Sequence, residues 1–194
     1  MKNVIKKSIL LVTVFTTMLS IANEIPNNIK KTYKETALTI NNVSQGDLLT
    51  IKDYNGIVLY KELIKSNGTY KKGFDLTALP SGDYFFEVDK DMEIKTIPFT
   101  VNYQSVVFNK EKETSIYKPY LRQKGDLILI SKLAPNLEPL KVSIYSELES
   151  GSELLYTQNI EGLQSIDIAY RLKKGSFKIV FNSNGKEFTK FINN

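Results

Sequence analysis

The chain has 194 residues, a formal net charge of +5, 42% hydrophobic residues, eleven Tyr, ten Phe, and neither Cys, His nor Trp. Without His and Cys there is no imidazole base, no thiolate nucleophile, no soft-metal ligand set and no disulfide, so Ser-His-Asp, Cys-His and zinc chemistries are excluded from the outset. Stability must come from packed aromatic and aliphatic side chains.

Met1 to Lys7 carries Lys2, Lys6 and Lys7, the run Ile9 to Ile21 is apolar, and Ser20-Ile21-Ala22 provides small residues for cleavage. This pattern predicts a secretory signal peptide over residues 1–22. The apolar run is shorter than the roughly 20 residues a spanning helix needs. No Cys is present to accept a lipid, so a lipoprotein is not expected. Cleavage after Ala22 removes three of the 26 Lys and Arg, leaving 23 against 21 Asp and Glu, a net charge of +2. The basic balance thus belongs mostly to the leader and does not point to nucleic acid or an anionic membrane.

After a polar stretch from Asn23 to Lys31, short runs with period-two apolar positions occupy Ala37–Ile40, Leu48–Ile51, Ile57–Leu63, Tyr70–Leu76, Tyr84–Val88 and Ile94–Val101. Between them stand Asn41-Asn42, Asp53-Tyr54-Asn55-Gly56, Ser66-Asn67-Gly68, Leu79-Pro80-Ser81-Gly82 and Asp89-Lys90-Asp91, all turn-forming. Regularly spaced short strands predict an antiparallel sandwich. In the segment FDLTALPSGDYFFEV, Pro80 presets φ for a turn, Gly82 lies two residues before Tyr84, and Phe86 follows two residues later. That spacing resembles the tyrosine corner of immunoglobulin-type domains, with Phe86 in the core position where a disulfide Cys often stands.

The second half repeats the plan. Gly125-Asp126-Leu127-Ile128-Leu129-Ile130 echoes Gly46-Asp47-Leu48-Leu49-Thr50-Ile51, and Glu153-Leu154-Leu155-Tyr156 echoes Ile57-Val58-Leu59-Tyr60. Ile166-Asp167-Ile168 echoes Phe74-Asp75-Leu76, and Leu172 to Phe177 echoes Leu79 to Tyr84. The first echo is offset by 79 residues and the last two by 92 to 93, which implies an insertion over Leu133–Pro139 and lengthening around Glu147–Ser152. The expected organisation is two tandem immunoglobulin-like antiparallel β-sandwich modules, residues 23–103 and 104–194, with few helices.

Leu49 to Val101 resembles the small immunoglobulin-like modules of secreted Bacteroidota proteins, among them the C-terminal sorting domain of the type IX secretion system. The residues that carry the likeness are Thr50-Ile51-Lys52-Asp53, Asn55-Gly56, Val58-Leu59-Tyr60, Asp75-Leu76, Leu79, Gly82, Tyr84, Phe99 and Val101. The second module departs from the pattern. Phe177 replaces the corner Tyr, Lys173 stands where the first module has Pro80, and Tyr170-Arg171 interrupts the spacing. Its ending, Asn184 to Ile192, is similar to the last hairpin of a sorting domain. The resemblance implies a bacterial protein in the periplasm or outside the cell, and it makes Asn42-Val43-Ser44 and Asn67-Gly68-Thr69 turn residues rather than glycosylation sites.

No Ser sits in a nucleophile elbow and no Gly-rich loop fits a phosphate, so no catalytic, cofactor-binding or metal-ligating residue is assigned. Asp89, Asp91 and Glu93 alternate through a turn, but Ile94 stands where an EF-hand loop needs Gly and Thr100 where it needs Glu. Glu147, Glu149 and Glu153 read as a solvated loop cluster. Tyr117, Lys118, Tyr120, Arg122 and Lys124 form an aromatic and basic stretch near the module junction; the expectation is that its rings pack between the modules while the Lys and Arg stay in solvent, with a face for a glycan or a peptide strand as the alternative. The expected function is an exported non-enzymatic binding or structural module, with a small secretion cargo carrying its own sorting signal as the rival reading.

Overall fold

A computed structural model describes residues 36–103 and 105–194, which belong to one compact unit. The expected signal peptide lies outside the described residues. Among the described residues there are fifteen strands and two single 3-10 turns, Leu76–Ala78 and Lys110–Lys112. Among them, too, no helix is long and apolar enough to cross a membrane.

The first core is closed by two sheets. Strands β1 (Thr36–Val43) and β4 (Gly68–Phe74) pair antiparallel as one layer. Facing them, β3 (Val58–Leu63), β2 (Leu48–Asp53), β5 (Gly82–Asp89) and β6 (Glu93–Asn102) lie side by side in that order. Period two decides which side chains point between the layers. Leu38, Ile40, Leu49, Ile51, Phe86, Val88, Phe99 and Val101 are all buried in one cluster. Phe86 is 0% exposed and meets Phe74 at 5.3 Å and Phe99 at 5.1 Å between ring centroids, so the position beside the corner is filled by a cluster of tilted aromatic rings. The Tyr84 hydroxyl donates to the Pro80 carbonyl at 2.9 Å, which closes the tyrosine corner.

The chain does not leave this sheet at Tyr103. Strand β7 (Ser105–Phe108) and strand β8 (Thr114–Tyr117) both pair with the outer edge of β6, covering its two halves in turn. The expected boundary therefore falls in a hairpin, and the first sheet runs on to Tyr117. Residues Val106 and Phe108 pack on the first core, which is why this edge is covered.

The second core begins after Pro119. Strands β9 (Tyr120–Lys124), β10 (Leu127–Leu133) and β13 (Ser165–Arg171) form a three-stranded layer with β10 at its centre. Strands β12 (Gly151–Ile160), β11 (Leu140–Leu148), β14 (Ser176–Ser183) and β15 (Lys186–Asn193) form the facing layer. Between them Ile128, Ile130, Val142, Ile144, Ile166, Ile179, Phe181 and Ile192 are buried together. The chain is thus all-β, and its antiparallel sheets pack as sandwiches in the way the alternation predicts.

Pairing also corrects the internal repeat. Tyr84 pairs with Asp53 and Phe99, and 93 positions on (177 minus 84) Phe177 pairs with Ser146 and Ile192. The strand that matches β2 is therefore β11, not β10. The echo between Gly46-Asp47 and Gly125-Asp126 joins strands that occupy different places, since β2 lies between β3 and β5 while β10 lies between β9 and β13. Likewise Phe74 ends β4, whereas Ile166 to Ile168 sits inside β13. The offset of 79 is a property of two similar turns and needs no large insertion. The lengthening around Glu147–Ser152 is real: β11 and β12 have 9 and 10 residues against 6 each in β2 and β3.

Candidate binding face at the sheet junction

Between β8 and β9 the chain changes sheets within two residues, Lys118 and Pro119. The Lys118 amide still bonds the Met92 carbonyl at 2.9 Å, and its ammonium meets Asp89 at 2.5 Å, so the first sheet holds the chain up to that residue. Pro119 has no N–H to continue a ladder, which ends the pairing with β6 and releases the chain to the three-stranded layer. On β9, Leu121 packs on the second core, so period two turns Tyr120, Arg122 and Lys124 to the outer side. The Gln123 amide reaches the Asn193 carbonyl at 3.4 Å and ties β9 to the end of β15.

Tyr120 is 49% exposed, and Tyr117 is half-buried. The rings of the aromatic and basic stretch are therefore not sealed between the two cores. Three clefts meet at Tyr120. One of about 430 Å³ lies over the outer side of the three-stranded layer and includes Arg122, Leu129, Ser131 and Asp167. A second, also about 430 Å³, continues past Tyr120 to Met92, Tyr117 and Leu133. The third, about 360 Å³, lies between the start of β6 and the middle of β15, against Met92, Phe188 and Lys190. Each falls within the size range of ligand sites.

Register explains the grouping. Ser131 pairs with Tyr120 on one side and Asp167 on the other, and Leu129 pairs with Arg122 and Ala169 in the next outward row. Residues from three strands thus converge on one patch, although only those of β9 stood out in the sequence. Ser131 and Asp167 were missed because each is unremarkable in its own strand. The readable signal was β10 itself: Leu127 to Ile130 is apolar at every position, the pattern of a strand covered on both faces.

Lys132 lies on the inward side of β10 and is only 3% exposed. Its ammonium donates to the Leu133 carbonyl at 3.1 Å, and burial pulls its pKa down while nearby Glu138 opposes that effect. Glu138 is itself held by the Asn136 amide nitrogens at 3.1 and 3.2 Å.

The carboxylate clusters are not brought together as sites. Glu147 accepts from the Ser152 hydroxyl at 2.5 Å in the β11–β12 hairpin, and Glu93 pairs with Lys90 at 2.7 Å. Among the described residues no three metal-ligating side chains are gathered in one place. A different charged cluster, unread in the sequence, is built on the first sandwich. Glu62 receives the Lys72 ammonium and the hydroxyls of Tyr60 and Tyr70. Burial raises the Glu62 pKa, but these hydrogen bonds outweigh it and hold the carboxyl at about 2. On the outer side of the same sheet, Glu87 is buried between Lys52 at 2.6 Å and Lys186 at 2.7 Å. Burial again pushes upward, and the two ammonium groups bring the Glu87 pKa below its ordinary value. Lys186 belongs to β15, so this ion pair joins the two cores.

These features define an all-β protein of antiparallel sandwiches with a cleft-lined outer face. No protein-family model matches the chain, and no curated protein matches it. Among solved structures it is similar to a biofilm-associated protein's BSP domain, at 11% identity over 84% of this chain and 27% of that one, with a TM-score of 0.27. It is also similar to the chicken CNTN1 FN1–FN3 domains, at 11% identity over 81% of this chain and 59% of that one, again with a TM-score of 0.27. The chain spans about a quarter of the first and three-fifths of the second.

Proposed function

We propose that this chain is an exported, non-enzymatic binding protein whose two sandwiches, divided between Tyr117 and Tyr120, present the Tyr120 face to a partner. The fold is compatible with a binding or structural module, but fold alone does not choose a function. The observation that carries the reading is the half-exposed Tyr120 ring, which forms a wall of three clefts where a stabilising core residue would be covered. Export rests on the basic, apolar and small-residue order of Met1 to Ala22.

The test is a photo-crosslinking amino acid placed at Tyr120, with one at Lys71 on exposed β4 as control, in the cells the protein comes from. A discrete crosslinked species at 120 and none at 71 supports the reading. The same products at both positions, or none at either, would remove it.

The sorting-signal reading keeps one supporting feature, the resemblance of Asn184 to Ile192 to a sorting-domain hairpin. Its test has to respect the core. Deleting Gly175 to Asn194 removes Phe177, Ile179, Phe181 and Ile192 and would unfold the second sandwich. Removing residues 119–194 whole and following the first sandwich in periplasm, surface and medium is the cleaner experiment. Unchanged surface delivery without them sinks this alternative.

A further inference from the structure

We infer that the Tyr120 face takes a neutral oligosaccharide, laid along β10 with sugar units on both sides of the Tyr120–Ser131–Asp167 row; this rests on the binding reading above. The first half of β10, Leu127 to Ile130, is apolar on both sides. Ile128 and Ile130 fill the second core, while Leu127 and Leu129 face outward and are only partly buried, without a covering layer among the described residues. Over this strip β9 contributes an aromatic ring and β13 a carboxylate. The two clefts of about 430 Å³ share Tyr120, Ser131 and Asp167, so they adjoin at that row.

The charges select the ligand. Arg122 and Asp167 are both exposed, line one cleft, and enter no ion pair among the described residues. An anion would meet the Asp167 carboxylate, and a cation would meet the Arg122 guanidinium. A neutral ligand with adjacent hydroxyls satisfies both, accepting from Arg122 and donating to Asp167. Its C–H face would lie on the Tyr120 ring and Leu129. An added peptide strand is disfavoured because it draws affinity from unpaired backbone groups at a sheet edge. The clefts instead sit over β10, whose backbone is paired on both sides.

The experiment uses the purified chain in native affinity electrophoresis through gels containing mixed-linkage glucan, laminarin, arabinoxylan or galactomannan. Heparin and polygalacturonate gels serve as charged controls. At least one neutral polymer is expected to retard the protein, to a similar degree at low and high salt, since no charge pairing is involved. By calorimetry its hexasaccharide should bind more tightly than its disaccharide. Y120A is expected to weaken binding about tenfold or more, and Y120F to retain it, because the ring and not the hydroxyl is used. D167N and R122A should each weaken it several-fold, with an unchanged circular dichroism spectrum showing that the fold is kept. Retardation by none of the four neutral polymers, or only by the charged ones, overturns the inference. So does a Y120A protein that binds as wild type. If the position-120 crosslinker captures a host protein while no glycan binds, the ligand class is wrong and the binding reading stands; if neither occurs, both fall.

Discussion

Tyr84→Phe tests the corner directly, because the second sandwich carries Phe177 at the equivalent position and serves as an internal comparison. The substitution removes one hydrogen bond, from the Tyr84 hydroxyl to Pro80 at 2.9 Å, and leaves the ring in its place against Phe99 at 5.6 Å. Pro80 is exposed, so water replaces the lost donor and no buried carbonyl is stranded. The expected loss is about 1 kcal/mol, the net worth of one such bond. With a urea slope of about 1 kcal/mol per molar for a sandwich of this size, the first transition should shift by about 1 M. Urea unfolding followed by circular dichroism, on the full chain and on the Tyr84→Phe variant, reads that shift. Phe177→Tyr is the reciprocal change. The Phe177 ring already lies over Gly175, where a Cβ would stand 3.4 Å from the ring's Cζ, so the added hydroxyl has the same short turn to reach across. It should raise the second transition by less than about 1 kcal/mol. An unmoved midpoint for Tyr84→Phe would show that the hydroxyl contributes nothing net. A loss above about 3 kcal/mol would show that the ring itself had repacked, and the single-bond account would be wrong.

Three further outcomes follow from the packing and charge. Phe86→Ala should cost about 3–5 kcal/mol and abolish the first transition while leaving the second, since Phe86 touches only the first core; thermal unfolding by circular dichroism checks this. Glu87→Gln removes the shared partner of Lys52 and Lys186, so hydrogen exchange should quicken in the β14–β15 turn and not in β13, and equal exchange in both proteins would show that the ion pair does not hold the two cores together. For acid stability the sign comes from the depressed carboxyls. Glu62 has a folded pKa of about 2, below its unfolded value, so its contribution is complete above the ordinary carboxylate range and is lost as pH falls toward 2. Solvent access around Glu62 and Lys72 reduces that contribution to about 1 kcal/mol. Urea midpoints should be level from pH 7 to 5 and decline below about pH 4, and Lys72→Ala should flatten the decline.

Local features of the sequence were enough to place most strands and the corner. Leu49, Ile51, Phe86, Val88, Phe99 and Val101 recur at period two, with polar Thr50, Glu87 and Thr100 between the members of each pair, and that period decides which side of a strand is buried. Pro80, Gly82 and Tyr84 announce their turn because each acts on backbone geometry within a few residues. The candidate face was half legible: Tyr120 and Arg122 share one strand, so their common side followed from period two. Their neighbours Ser131 and Asp167 did not, because that depends on which strands lie side by side. Strand neighbours are settled by the closing of two apolar layers over a core, an effect spread across the whole chain. For the same reason the Gly46-Asp47 and Gly125-Asp126 turns looked equivalent while leading into strands with different places. The return of β7 and β8 to the edge of β6, and the meeting of Glu87 with Lys186 across 99 positions, likewise belong to tertiary structure alone. Composition and alternation determined an all-β chain without His or Cys chemistry; long-range pairing decided where its clefts and its buried charges came to lie.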